Sequence, residues 1–411
     1  FYIGSSAYDG NATTPKAQWI KHVWTLEGEN AQATCSASIR MSERNNTEDT
    51  INLNAGAKLT TPTIYRSRGS HDNNGKCLQD GGFYTNDFAY VNFNGGILRA
   101  SAADFLGWDE PFAENRGKTS RRVTAKVYEG GATIEAVNYI GLSTPLEDAP
   151  GKGVKSIPMP EDAVTTGLNA PPYVNIVGDG SNATAVATFD SKTQTWTGIK
   201  VTSPGFGYNW AKAEIVFHGA KAYEVDCELA DNKPGPVHFI IDKKASANSE
   251  LNFSCAHTYT GPTRISGGRI WFDTNGSLAS RDITVDADAN LCTAACINGA
   301  NVHGSGDTYY NWHTAAFTAD GDAAGIRQAS GTLTIDANPV ITLKNLSGVD
   351  QKITVLRQPA SGAAIAGTAN LKNATFVGEA IPEGFKARVS YVKGEVVVKV
   401  REIKGTLIFV R

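Results

Sequence analysis

The side chains able to do chemistry fall into three loose clusters. "RSRGSHDNNGKC" brings Arg66, Arg68, His71 and Asp72 close together, and "NVHGSGDTYYNWH" carries His303, Asp307 and His313. "TVDADAN" carries Asp286 and Asp288. An imidazole beside guanidinium groups suits proton abstraction from an acidic sugar, with the arginines stabilising the enolate that forms. Paired aspartates suit a Ca2+ ion in the same role. Yet each cluster lies among Gly, Asn and Ser, where polar side chains are expected simply because loops are solvated. No GxSxG, HExxH, Walker or GxGxxG context is present. "GDGSNAT" at 178–184 lacks the Lys-Ser/Thr and the helix start that a phosphate loop needs. The expectation is a non-enzymatic protein without a catalytic, cofactor or metal site. A hidden polysaccharide lyase, if there were one, would centre on Arg66, Arg68, His71 and Asp72.

The six cysteines are Cys35, Cys77, Cys227, Cys255, Cys292 and Cys296. None forms a CxxC pair, and no histidine stands at zinc-finger spacing. An even number suggests disulfides in an exported chain, and proximity in sequence suggests Cys35–Cys77, Cys227–Cys255 and Cys292–Cys296. Buried reduced thiols are the other reading. The chain opens at Phe1 without a basic-then-apolar leader, as an exported protein does once its signal is removed. Seven Asn-x-Ser/Thr sites, at Asn11, Asn45, Asn182, Asn252, Asn275, Asn345 and Asn373, are explained by a composition rich in Asn and Thr.

These loops must be carried by strands. With 42 Gly and only two Met, the composition favours turns between short strands over helices. A net charge of −3 gives no electrostatic case for nucleic acid, and no apolar run is long enough to span a membrane as a helix. "AYVNFNGGILRASA", "RRVTAKVYEGGATIEAVNYIGL", "TRISGGRIWF" and "ASGTLTIDANPVITLKNL" share one pattern: an alternating apolar segment, a small-residue turn, and a second such segment. "YVNIVGDGSNATAVATFDSKTQTWTGIKVTSPGFGYNWAKAEIVFHG" reads as a compact unit of three or four strands. "EGFKARVSYVKGEVVVKVREIKGTLIFVR" reads as three strands with tight turns at Lys393-Gly394 and Lys404-Gly405. The only helix signal is a turn or two after Ser101.

"SELNFSCAHTYTGPTRISGGRIWF" resembles the passenger-associated transport repeat of bacterial autotransporter passengers. The matching residues are Thr258-Tyr259-Thr260-Gly261, Thr263, Ile265, Gly267-Gly268 and Ile270, with His257 and Pro262 replacing the usual Asn and Gly. The segments Gly178 to Ala185 and Val201 to Tyr208 resemble a Gly-rich unit of similar secreted proteins. The resemblance covers about Val91 to Phe272. It implies an all-β fold, a right-handed parallel β-helix (β-solenoid) with a small inserted β unit and a C-terminal antiparallel β region. On this reading residues 1–155 form an N-terminal solenoid and 156–220 the inserted unit. Residues 221–345 form a solenoid stretch with the transport-repeat motif, and 346–411 the C-terminal strands.

The function expected is structural. The chain would be a secreted bacterial surface protein, a subunit of a fibre, filament or adhesin. Its main partner would be copies of itself, with extracellular polysaccharide as a second. A solenoid leaves unpaired strand edges, so assembly is expected through apolar segments: Phe1, Tyr2 and Ile3 in one, and Leu407, Ile408, Phe409 and Val410 in the other. The alternative function is a β-helix polysaccharide-active enzyme or carbohydrate-binding protein, with tryptophans stacking on sugars.

Overall fold

The glycine pairs that punctuate the strands do not close hairpins. The strand Asp87–Asn94 pairs in parallel with Thr47–Asn54 on one side and Thr124–Val127 on the other. The strand that follows it across Gly95, Gly96–Ala100, pairs instead with Lys58–Thr61 in a different sheet. Each glycine turn is therefore a corner at which the chain passes from one sheet to the next. The corners stack on one another. Ala55 N donates to Asn94 O at 3.0 Å, Gly56 N to Gly95 O at 2.7 Å, and Gly95 N to Gly131 O at 2.7 Å. Gly95 has φ 91°, and a Cβ on Gly96 would lie 2.4 Å from the carbonyl carbon of Leu53. Only glycine fits a corner this tight.

A computed structural model describes residues 2–3, 20–42, 47–66, 87–111, 118–120, 122–217, 220–292, 300–309, 312–358 and 361–403. The protein is all-β, and most of its strands are parallel members of large sheets. It divides into two compact units, residues 1–134 with 143–236, and residues 135–142 with 237–411.

The first unit holds a five-stranded parallel sheet that ends on Ile20–Glu27. A second face carries Gln32–Thr34, Lys58–Thr61 and Gly96–Ala100, also parallel. A third carries Tyr2–Ile3, Ile39–Met41 and Ile64–Arg66. Inward side chains such as Ile39, Ile51, Leu53, Val91, Phe93 and Leu98 have no exposed surface. At roughly 1.5–3 kcal/mol for each large apolar side chain, such columns drive the stacking.

The Gly-rich inserted unit is antiparallel throughout and is larger than the expected 156–220. Its strands include Tyr173–Gly178, Thr184–Asp190, Thr195–Ser203, Ala211–Phe217 and Ala220–Asp226. It begins with Lys152–Ser156, which pairs with Glu228–Asp231. Those flanking strands belong to it because Cys227 and Leu229 pack on the core of Trp196, Tyr208 and Ile215.

In the second unit, the parallel run includes Val237–Ile241, Thr263–Ser266, Asp282–Val285 and Asn301–Gly304. Another run includes Tyr139–Leu142, Glu250–Phe253, Arg269–Phe272, Asn290–Cys292 and Asp307–Tyr309. Apart from Tyr139–Leu142 and Glu250–Phe253, between which the inserted unit intervenes in sequence, partners stand about twenty residues apart along the chain, as Arg327 does from Asp307. A third, short pair joins Ala256–His257 to Ser277–Leu278. The inward rings of the three faces meet at Phe253, whose centroid lies 4.9 Å from Phe239, 5.1 Å from Phe272 and 4.7 Å from His257. Within the Thr-Tyr-Thr-Gly stretch, Tyr259 is fully buried, and its hydroxyl lies 2.7 Å from Thr263 Oγ1 across the turn.

The C-terminal region is antiparallel only in part. Glu395–Glu402 runs antiparallel to both Gln351–Arg357 and Phe385–Val392. Ala363–Ala366 and Thr375–Gly378, by contrast, join Gly331–Lys344 in parallel. Lys393 and Gly394, at φ 52° and 83°, form the expected two-residue hairpin turn. Lys404-Gly405 lies outside the described residues. Among the described residues after Ser101 there are turns and no helix, while a 3-10 helix that no sequence signal announced spans Thr368–Asn373.

Candidate functional site

The expected polar clusters do not come together as drawn from sequence. Of the cluster from Arg66 to Asp72, only Arg66 is described, at the end of Ile64–Arg66; Arg68, His71 and Asp72 lie outside the described residues. His303 does not face Asp307. Its Nε2 lies 2.8 Å from Asp282 Oδ1 and 3.0 Å from Thr284 Oγ1. Asp307 instead binds Arg327 through two 2.5 Å contacts. Asp286 receives Arg264 Nε on both oxygens, and Asp288 accepts Gly267 N at 3.1 Å. Both aspartates are thus tied to the sheet. The side chain of His313 lies outside the described residues.

A second imidazole–carboxylate pair was not anticipated. His22 Nδ1 lies 2.8 Å from Oδ1 of Asp49, which is fully buried, while Ser42 N donates to Oδ2 at 2.5 Å. The hydrogen bond to Asp49 raises the His22 pKa, against the opposing effect of burial. Ser42 does not complete a nucleophilic triad, because its hydroxyl donates to Phe88 O. The pair joins Ile20–Glu27 to Thr47–Asn54, where His22 and Asp49 are register partners.

The four described cysteines are free thiols, Cys255 and Cys292 buried and Cys35 and Cys227 partly so. Cys227 and Cys255, expected as a bridge, are not joined. Cys227 is half-buried against the core of the inserted unit, whereas Cys255 is buried with its Sγ 3.5 Å from Leu142 O and 3.7 Å from His257 Nε2. Cys35 and Cys292 are thiols too, and their expected partners, Cys77 and Cys296, lie outside the described residues. Burial pushes Cys227 up to about 11 and Cys292 up to about 12. It also pushes His257 down to about 3, so that ring stays neutral.

A concave feature runs along Ile20–Glu27. Within the five-stranded sheet this strand has one partner among the described residues, Thr47–Asn54. Cavities of about 260, 640 and 580 Å³ follow one another along it, the first reaching Lys21 and the last Glu27. The opposite wall belongs to the inserted unit, with Tyr173, Val174 and Val186 in the largest cavity and Trp210 in the smallest. Val23, Val186, Tyr173 and Trp210 are about half exposed, at 45, 47, 58 and 51%.

No family model, curated protein or solved structure matches this chain.

The inserted unit is held against the parallel sheet by buried amides and hydroxyls. Thr50 Oγ1 donates to Asn182 Oδ1 at 2.8 Å, Asn52 Nδ2 to Thr184 Oγ1 at 2.9 Å, and Asn54 Nδ2 to Thr202 O at 2.7 Å. Asn92 donates to Asn52 and Ser203, and accepts from Asn182. Asn182 is 1% exposed, which removes it as a glycan acceptor. One edge of Tyr2–Ile3, expected to be offered to a neighbouring copy, is taken up by Ile39–Met41 of its own chain. Phe1 and the run Leu407, Ile408, Phe409, Val410 lie outside the described residues.

Of the tryptophans, Trp196 is buried in the core, Trp108 packs on Tyr65 at 5.3 Å, and Trp271 lies beneath Arg269 at 4.4 Å.

Proposed function

We propose that this chain is an extracellular structural protein, a right-handed parallel β-helix that assembles with copies of itself into a surface fibre or adhesin. The observation that carries this reading is the place of Ile20–Glu27 at the end of the five-stranded parallel sheet, with one strand partner among the described residues. A strand edge flanked by half-exposed apolar side chains is a template for another strand. The parallel strands recurring at about twenty residues support the β-helix, as does the transport-repeat-like stretch from Ser249 to Phe272. Export from a bacterium rests on that resemblance.

The test is sedimentation of the purified chain across a wide concentration range, with electron microscopy of the pelleted fraction. The reading expects a concentration-dependent polymer of uniform width. A chain that stays monomeric up to the millimolar range ends it. The alternative, polysaccharide binding, draws on the exposed rings of Tyr173 and Trp210 beside the groove. It would be favoured by saturable binding of a soluble glycan that Trp210→Ala removes.

A further inference from the structure

Two parallel strand pairs of the second unit set opposite charges against each other. Glu250 stands opposite Arg269 and Asp307 opposite Arg327, each in register and in an ion pair. The antiparallel sheet of Gln351–Arg357, Glu395–Glu402 and Phe385–Val392 does the reverse. On its central strand Lys399 stands opposite Lys352 on one side and Arg388 on the other, and Arg401 stands opposite Lys386. Like charges directly opposite destabilise a sheet. All five share one face, because Val398 and Val400, which alternate with Lys399 and Arg401, are buried on the other. Among the described residues a carboxylate neutralises one of the five: Lys352 Nζ lies 3.0 Å from Glu395 Oε2, while Lys386, Arg388, Lys399 and Arg401 make no ion pair. The nearby Asp350 accepts Glu402 N at 2.9 Å. Repulsion of this kind is relieved by an anion from outside.

We infer that this sheet face binds an acidic polysaccharide. The inference stands whether or not the chain assembles, and it draws on charge rather than on the rings of Tyr173 and Trp210. The row Lys352, Lys399, Arg388 crosses three strands, roughly 10 Å at the usual strand spacing, and Arg401 with Lys386 forms a second row about 7 Å along. One inorganic anion is too small to meet both rows, whereas a polymer that repeats its anionic groups meets them in turn. A cavity of about 430 Å³ lined by Lys352, Lys399 and Arg401 gives such a polymer a hollow to lie in. Thr354 and Ser390, both register partners of Val397, add hydroxyls on the same face for those of a sugar. The forked guanidinium groups of Arg388 and Arg401 suit paired anionic oxygens, whether of a carboxylate or a sulfate ester. A single-stranded nucleic acid also needs aromatic rings for its bases to stack on. Phe385 and Tyr391, the aromatic residues of these strands, alternate to the opposite face. The whole chain carries a net charge of −3, so the attraction is local to this face and sensitive to salt.

Fluorescence anisotropy of the full chain tests this, with labelled polygalacturonate for carboxylates and labelled dextran sulfate for sulfate esters. Neutral dextran and an oligothymidylate serve as comparisons. At least one acidic polysaccharide should bind saturably, and the tighter of the two names the anionic group. Binding should weaken at least about tenfold as salt rises from about 50 to about 500 mM, and neutral dextran should not bind. Arg388→Gln with Arg401→Gln changes two exposed positions and should raise Kd at least about tenfold. Arg388→Lys with Arg401→Lys, which keeps the charge, should recover most of that loss. The neutral variant should melt at the same temperature as the native chain or higher, since it relieves like-charge repulsion. The inference is overturned if neither acidic polysaccharide binds, or if oligothymidylate binds more tightly than both. It is equally overturned if the neutral variant binds as the native chain does. A lower melting temperature with unchanged binding would make these cations structural.

Discussion

Asn92 and Asn182 stand ninety residues apart and share a hydrogen bond of 2.7 Å in a site from which water is excluded. Asn92 lies on a parallel strand and Asn182 in the inserted unit. Their contact is the centre of the polar seam described above. Removing one member leaves several buried groups without a partner. Asn92→Ala should therefore cost about 2–4 kcal/mol, more than a typical single hydrogen bond, because Asn52, Asn182 and Ser203 all lose a bond. Urea denaturation gives the cost, and amide exchange around residues 181–206 should rise with it. A loss below about 0.5 kcal/mol would mean that the seam contributes little.

The His22–Asp49 pair makes stability depend on pH with a definite sign. The folded-state pKa of His22 is raised, so the folded chain binds the proton more tightly than the unfolded one. The contribution is complete below the unfolded value near 6.5 and is lost as pH rises through the folded value. Stability attributable to this residue should fall across the window just above pH 6.5, and His22→Gln should flatten that part of the profile. An unchanged profile in the variant would remove His22 as the source.

The two glycine environments predict different costs. Gly96→Ala places a Cβ 2.4 Å from the Leu53 backbone, and that backbone is held in a sheet. Gly348, at φ 70°, has no atom within 4 Å of the same position. Gly96→Ala should destabilise the fold by about 3 kcal/mol or prevent folding, within the range for overpacked cores. Gly348→Ala should cost about 1 kcal/mol, the strain of a left-handed residue alone. Thermal melts of the pair would separate the two, and equal shifts would contradict the corner geometry.

The thiols should be slow to react. With Cys227 near 11 and Cys292 near 12, the thiolate fraction at neutral pH falls about 100-fold or more below that of a free cysteine. Iodoacetamide labelling followed by mass spectrometry should modify both only after denaturation. The same spectrum without reductant should show Cys227 and Cys255 carrying two alkyl groups and no bridge. Rapid labelling of the folded chain would show that these sites are more open than described.

Much of the local structure was legible in the residues themselves. Glycine pairs marked the corners because only they tolerate positive φ with a neighbouring backbone so close, as at Gly95-Gly96. Lys393-Gly394 marked a hairpin, and the apolar alternation marked which side chains turn inward. The rest depended on which strand lies beside which. That His303 meets Asp282 rather than Asp307 follows from a register about twenty residues long that no local pattern records. The strand Thr47–Asn54 shows the limit most plainly. Its alternation reads as one buried and one solvated face, yet all eight residues are buried. The inserted unit, more than a hundred residues further on, covers Thr50, Asn52 and Asn54 and supplies their hydrogen bonds. A polar side chain specifies that it needs partners. Whether water or protein provides them is decided only when distant segments close over it.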